Sequence, residues 1–405
     1  MTVYIGIDWS EKKHDICYMH ANGEVLRYLQ ILHSMDGFVA LDKAREELGV
    51  EATDCVVGLE TAHNPLVDYL WDQGYLRIIV LPPKVVKSSQ GRYRQSGARD
   101  DPWDARLIAD ILRTDQKRYT VWQPDRPLTR QIRSAVRMLS HLNKELVRNS
   151  NRLRAVLLRY YPAVLELFAR LDAPVTLAFV QAYPTPQAAA NLSYDDFVSF
   201  LRQHHHTQPK KWVQSYNQLH KPVAYTPADV VAAYSPQAVT LASILAVLVE
   251  SKGCWLKQLT RLYENHPDRT IYASLPAAGT FLEPALLAKL GDDRNRFPTP
   301  KVLQAVAGTC PVTQRSGKRK VIYFRWACDH EFRHIVHQWA KLSLDVSPWA
   351  EAYYRSVLPH CRTPNDAIRR LANRWLEILW RLWQDGKPYD QVYHMKQHTA
   401  RCTAR

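Results

Sequence analysis

The 405-residue chain has no spaced cysteine framework. Its seven cysteines, Cys17, Cys55, Cys254, Cys310, Cys328, Cys361 and Cys402, are odd in number and scattered, which excludes a small disulfide-stapled fold and predicts reduced thiols. No C-x-x-C knuckle accompanies Cys310, Cys328, His330 and His334, so their loose likeness to a zinc ligand set reads as buried thiols and surface imidazoles. His204-His205-His206 likewise reads as a polar loop ahead of Pro209-Lys210-Lys211 rather than a metal tract. Long apolar runs are missing too. The longest, Ala238 to Val249, covers 12 residues where a bilayer needs about 20, and reads as a buried core helix. The opening, Met1 to Asp8, lacks a basic n-region and holds a carboxylate where a signal peptide would be apolar. The expected location is cytoplasmic, with no membrane partner. No internal repeat or long low-complexity segment occurs.

Acid is the scarce charge. Against 54 Lys and Arg stand 39 Asp and Glu, a net +15 with a pI near 9.4. Such an excess points to a polyanionic partner. At roughly 100–200 residues per domain the length predicts two or three domains.

The first hundred residues alternate between strand and helix patterns. Tyr4–Asp8, Lys13–Met19 and Val25–Leu32 read as three antiparallel strands, the second and third joined by a tight Asn22-Gly23 turn. A helix over Met35–Leu48, a strand over Asp54–Glu60, a helix over Pro65–Gln73 and a strand over Leu76–Leu81 follow. The order β-β-β-α-β-α-β is the ribonuclease H-like arrangement of an α/β domain. Its fourth strand returns parallel to the first, so Asp8 and Glu60 lie at neighbouring strand ends. Two carboxylates so placed can share a hard divalent cation, Mg²⁺ or Mn²⁺. As plain structure, Asp8 would cap a turn with Ser10 and Glu60 would pair with a Lys or Arg. Lys84–Arg99, with Arg92, Arg94 and Arg99, reads as a basic flexible loop. Asp101 then reads as a helix N-cap before Pro102, but Asp101 and Asp104, at i and i+3 on one helix face, are placed to complete the metal site.

From Leu128 the apolar residues Ile132, Ala135, Leu139, Leu142, Leu146, Leu153, Val156 and Tyr160 form a heptad seam interrupted at Asn149, extending roughly 50 Å at about 1.5 Å per residue. Basic side chains, Arg148 and Arg152 among them, dominate its other faces. The seam either packs within the chain or joins protomers. Residues 163–255 read as short helices broken by prolines, Pro236 included, and offer no site. Leu275-Pro276-Ala277-Ala278-Gly279 through Gly291 resembles a helix-hairpin-helix, with Ala277 where that hairpin commonly has Gly. Ser316-Gly317 lies in the basic stretch Arg315 to Lys320. It reads as a turn tip or as a nucleophile whose phosphate would be held by Arg315, Lys318, Arg319 and Lys320.

Together, Asp8, Glu60, Asp101-x-x-Asp104-Ala105, the basic helix ending Asn151-Arg152-Leu153-Arg154, the Leu275-to-Asp292 hairpin, Phe297 to Gly308-x-x-Pro311 and Ser316-Gly317 resemble the insertion sequence 110 family of DEDD transposases. Invertases of the pilin gene-inverting type are relatives. The resemblance covers nearly the whole chain, least from about 170 to 255. It implies a RuvC-like DEDD domain over 1–120 and a basic coiled-coil helix over 121–165. A helical linker over 166–255 and a mainly helical transposase domain over 256–405 follow. It implies Asp8, Glu60, Asp101 and Asp104 as Mg²⁺ ligands and Ser316 as catalytic serine. As partners it implies donor and target double-stranded DNA, a structured noncoding bridge RNA that pairs with both, and a homo-oligomer, dimer or tetramer, with composite sites, acting at the bacterial nucleoid. The chain departs from the family at Ala277-Ala278, usually Gly-Ile, and at Cys328-Asp329-His330, where a Gly-Asn pair normally precedes Arg333. Two other classes are open on the residues alone: a metal-dependent Holliday-junction-type endonuclease using water, and a basic architectural or RNA-binding protein.

Overall fold

The computed structural model describes residues 1–62, 64–92, 101–221, 226–317 and 319–396, apart from the side chains of Arg92 and Asp101. The chain divides into two compact units, one of Met1–Arg126 with Asp292–Pro298, the other of Pro127–Gly291 with Thr299–Arg405.

The first unit is a mixed α/β layer. Strands β1 (Val3–Trp9), β2 (Lys13–His20) and β3 (Val25–Leu32) form an antiparallel meander. Gly23, at φ +96°, makes the β2–β3 turn possible, and the Asn22 side chain accepts from the Glu24 amide at 2.9 Å. Helix α1 (Met35–Glu47) starts on a Ser34 cap and α2 (Pro65–Asp72) on an Asn64 cap. Between them β4 (Cys55–Leu59) returns parallel to β1, as the element order predicts. Strand β5 (Ile78–Val80) lies parallel to β4, and a strand the sequence reading does not include, β6 (Val121–Trp122), closes the order β3-β2-β1-β4-β5-β6.

Alternation along the strands gives the sheet two apolar faces. Val3, Ile5, Ile7, Val57 and Leu59 join α1 and α2 in one core. Tyr4 and Val56 join the other, with Ala105, Ile108 and Leu112 of α4 (Asp101–Asp115). The expected loop after residue 84 begins instead as helix α3 (Pro83–Ser89). Pro83 presets the first turn, and Val86 is buried in the α4 core, which outweighs the basic composition. Arg94 and Arg99 lie outside the described residues.

A distant segment completes this unit. The Asp125 carboxylate, 2% exposed, takes the Arg296 guanidinium at 3.0 Å and accepts from the Asp292 amide at 2.7 Å.

The second unit is mostly helical. Helix α5 (Pro127–Tyr160) buries Ile132, Ala135, Leu139, Leu142, Leu146, Leu153 and Leu157 along one stripe and packs most extensively on the helix Ala228–Glu264. The seam is thus filled within the chain. Asn149, buried in it, donates to the Glu145 carbonyl of its own helix at 2.9 Å. Pro236 does not break the partner helix, which runs through it; packing along α5 outweighs the one lost backbone bond. Nor is Ala238–Val249 wholly buried. Ala238, Ala242 and Leu245 form the buried stripe, while Val247 is 63% exposed. By length and composition this helix could cross a membrane, a property shared by core helices of soluble proteins.

Short helices from Val164 to Leu219 enclose Phe168, Phe179, Phe197 and Phe200. Toward the carboxyl end, the helices His330–Ser343 and Pro364–Asp385 bury Trp339 and Trp375 against one another. Strands β7 (Val312–Ser316) and β8 (Arg319–Tyr323) form an exposed hairpin.

Candidate functional site

Strand register places the first two acids. Gly6 pairs with Gly58 and Ile7 with Leu59 across the parallel β1–β4 ladder, so Asp8 and Glu60 follow at matching positions where both strands end. Each lies two residues beyond a glycine, hence on the glycine's face of the sheet. Helix α4 covers that face and does so at backbone distance. A Cβ on Gly6 would collide with the Ala105 carbonyl oxygen and lie 2.5 Å from the Ala109 nitrogen, and one on Gly58 would lie 2.6 Å from Leu112 Cδ1. The paired glycines let α4 rest directly on the sheet. Asp104 precedes the contact residue Ala105, and Asp101 is one turn earlier, so the start of α4 is delivered to the strand ends carrying Asp8 and Glu60.

Electrostatics records the convergence. Burial pushes the Glu60 carboxyl above the usual carboxylate range, and the negative charge of Asp104 adds to the rise. Asp104 accepts from the Gln90 amide at 3.4 Å. Sequence reasoning did not single out Asp15, which sits directly opposite Asp8 in the β1–β2 ladder and so on the same face. It is buried and accepts from the Gln30 amide at 2.8 Å. The repeated spacing Gly-x-Asp and Gly-x-Glu was the signal in the sequence for the glycine pair. Among the described residues no three His, Cys, Asp or Glu side chains form a ligand group; the Asp101 side chain is outside them. Oxygen donors are nonetheless the right chemistry for a hard divalent cation, and the repulsion between Glu60 and Asp104 is what such a charge relieves.

Ser316 ends β7 and pairs with Arg319 across a two-residue turn whose Gly317 has φ +55°. Ser316, Arg315, Arg319 and Lys320 are exposed, and Lys318 lies outside the described residues. Arg148 and Arg152 are exposed on α5, Arg148 beside Glu145 at 3.0 Å. Arg333 is drawn inward. It donates to the Arg325 carbonyl at 3.1 Å and meets His330 Nδ1 at 2.6 Å. Cys328 Sγ is 4.0 Å from the same imidazole nitrogen and fills the space left by Gly308. In the 275–279 turn, Ala277 takes the left-handed φ of +57°.

Comparison with known proteins gives the family. Residues 5–162 match the DEDD transposase family of IS110 elements, and residues 269–355 match the transposase family of IS116, IS110 and IS902. The "Mini-circle putative transposase for IS117" of Streptomyces coelicolor is 28% identical over 403 residues, 96% of each chain. "Putative transposase y4uE" of Sinorhizobium fredii is 29% identical over 203 residues, covering 50% of this chain and 56% of its own. The "Insertion element IS110 uncharacterized 43.6 kDa protein" of Streptomyces coelicolor is 24% identical over 302 residues, 72% of each chain. With both blocks in order along one chain and one relative aligned almost end to end, the protein belongs to the IS110 family of transposases, enzymes that cut and rejoin DNA.

Proposed function

We propose that this transposase cuts and rejoins donor and target DNA through a covalent phosphoserine, using a ribonuclease H-like acidic site and guidance by a structured noncoding RNA. The observation that supports it most is the pair of in-register strand ends bearing Asp8 and Glu60 beneath the start of α4, with Asp104 close enough to raise the Glu60 carboxyl.

Asp8, Glu60, Asp101 and Asp104 would hold Mg²⁺ or Mn²⁺, which supplies Lewis-acid activation of a phosphate and a template for in-line displacement. The Ser316 oxygen attacks the phosphorus and gives up its proton. The Oγ–P bond forms, the bond from phosphorus to a deoxyribose oxygen breaks, and that oxygen leaves as a hydroxyl after taking a proton. Attack by a hydroxyl of the exchanged strand reverses the step, so no high-energy bond is consumed. Exposed Arg315, Arg319 and Lys320 neutralise the phosphate.

The net +15 charge suits a protein that holds RNA and DNA backbones while pairing between nucleic acids reads the sequence. The acids belong to one compact unit and Ser316 to the other, a division suited to composite sites in a homo-oligomer.

The test combines the protein with its element ends, the noncoding RNA and Mg²⁺, followed by denaturing electrophoresis. A protein–DNA adduct is expected that is lost in Ser316→Ala and on chelation, and restored by Mn²⁺. An adduct persisting in Ser316→Ala, or free ends with no adduct, overturns the phosphoserine assignment and leaves a hydrolytic nuclease.

A further inference from the structure

Beyond the end of β8 the chain presents aromatic rings to solvent. Trp326 is 73% exposed, which forgoes roughly 2 kcal/mol or more of burial for so large a side chain. It is held beside Phe324, ring centroids 4.9 Å apart and edge to face. Two guanidiniums lie over the Phe324 ring, Arg333 at 4.9 Å and Arg369 at 5.0 Å. The segment is anchored: Arg325 donates to the Cys310 carbonyl at 3.2 Å, and Arg333 donates back to the Arg325 carbonyl at 3.1 Å. Trp326 is thus an exposed ring braced by Phe324, which two arginines hold in place, a combination that stacks a nucleobase on the indole with positive charge nearby for its phosphate.

We infer that Trp326 and Phe324 form a stacking platform for an unpaired base of the DNA strand that Ser316 cuts. This rests on the reading of Ser316 given above. Charge complementarity selects the occupant, because Arg319 and Lys320 are exposed on β8 and Arg333 and Arg369 lie over Phe324. Phe324 lies five positions beyond Arg319, roughly 17 Å at about 3.3 Å per residue. At about 3.4 Å per nucleotide that is about five steps from the cut. Transposition needs unpaired bases near the cut, since exchanged strands must leave one duplex before joining another. A platform at that distance would keep the displaced strand from re-pairing.

The full-length protein is titrated, by fluorescence anisotropy, into a fully paired duplex, the same duplex with a five-nucleotide unpaired bubble, and a single-stranded RNA of the bubble strand's sequence. Trp326→Ala is expected to weaken bubble binding about tenfold with duplex binding unchanged, and Trp326→Phe to retain most of it. A 2-aminopurine in the bubble should be quenched by the wild type and not by Trp326→Ala. Equal bubble affinity in wild type and Trp326→Ala, with duplex binding intact, overturns the platform alone. A loss confined to the RNA, or a shift in oligomeric state with unchanged DNA binding, assigns the ring elsewhere and also overturns it. Binding of DNA with an adduct that survives Ser316→Ala removes the reading of Ser316 and leaves the stacking result to stand separately.

Discussion

At the scale of single residues, the most instructive position is Ala277. Its φ of +57° is a conformation in which a Cβ crowds the following carbonyl. An alanine here holds a backbone conformation that glycine adopts without strain. Ala277→Gly is therefore expected to stabilise the protein by about 0.5–1 kcal/mol, read as a rise in thermal midpoint of about 1–4 °C; an unchanged or lower midpoint would contradict the strain. Residue identity showed part of this in advance, because Ala277 was visible as a departure, but the dihedral angle was not. The acids show the same division. Asp8 and Glu60 were legible because each ends an apolar run. Asp15 was not, since an acid inside a half-polar strand has no distinguishing pattern until the ladder sets it opposite Asp8.

Elements depend on what they touch as much as on their own composition. Strands β1 to β5 and helices α1 and α2 were readable to within about two residues, since alternation and capping residues are local signals, while the two-residue β6 and the exposed β7–β8 hairpin carry no such pattern. Helix α3 was not, because a lysine-rich stretch looks like a loop unless the burial of Val86 is known. Pro236 misled in the same way. Helix α4 is positioned by glycines on other elements, which gives a sharp contrast between two substitutions. Gly6→Ala puts a methyl group into the α4 backbone and is expected to cost about 3 kcal/mol or more. Gly253→Ala, in an exposed helical position with nothing within 4 Å of its Cβ, should stabilise by about 1 kcal/mol. Chemical denaturation of the two variants checks this. Equal effects would mean that α4 is not seated on the Gly6–Gly58 pair.

At the scale of the whole molecule, each compact unit has its own sensitivity to acid. His14, fully buried beside His33 and Trp9, is held down to about 4 by burial and by the neighbouring imidazole. His337 in the second unit is also lowered to about 4, by burial and then by Arg333 and Arg369. An imidazole that titrates near 6.5 when unfolded and near 4 when folded makes the unfolded chain the better proton acceptor between those values. Stability is therefore full above pH 6.5 and falls as pH drops toward 4. Linkage sets the loss at about 2–3 kcal/mol for His14 and less for half-buried His337. Thermal midpoints from pH 7 to 4.5 should fall, and His14→Phe should flatten the curve. A His14→Phe curve as steep as that of the wild type would exclude His14 as a source.

The return of Asp292–Pro298 to the first unit bears on how this protein can be divided. The polypeptide passes from one unit to the other three times, so the amino-terminal unit is not a bead on a string. A fragment ending after α5 would contain every proposed acidic ligand yet lose the Arg296 guanidinium and the Asp292 amide that the buried Asp125 carboxylate holds, and is expected to melt below the full-length chain. The amino-terminal unit is therefore complete only when the chain runs on through residue 298.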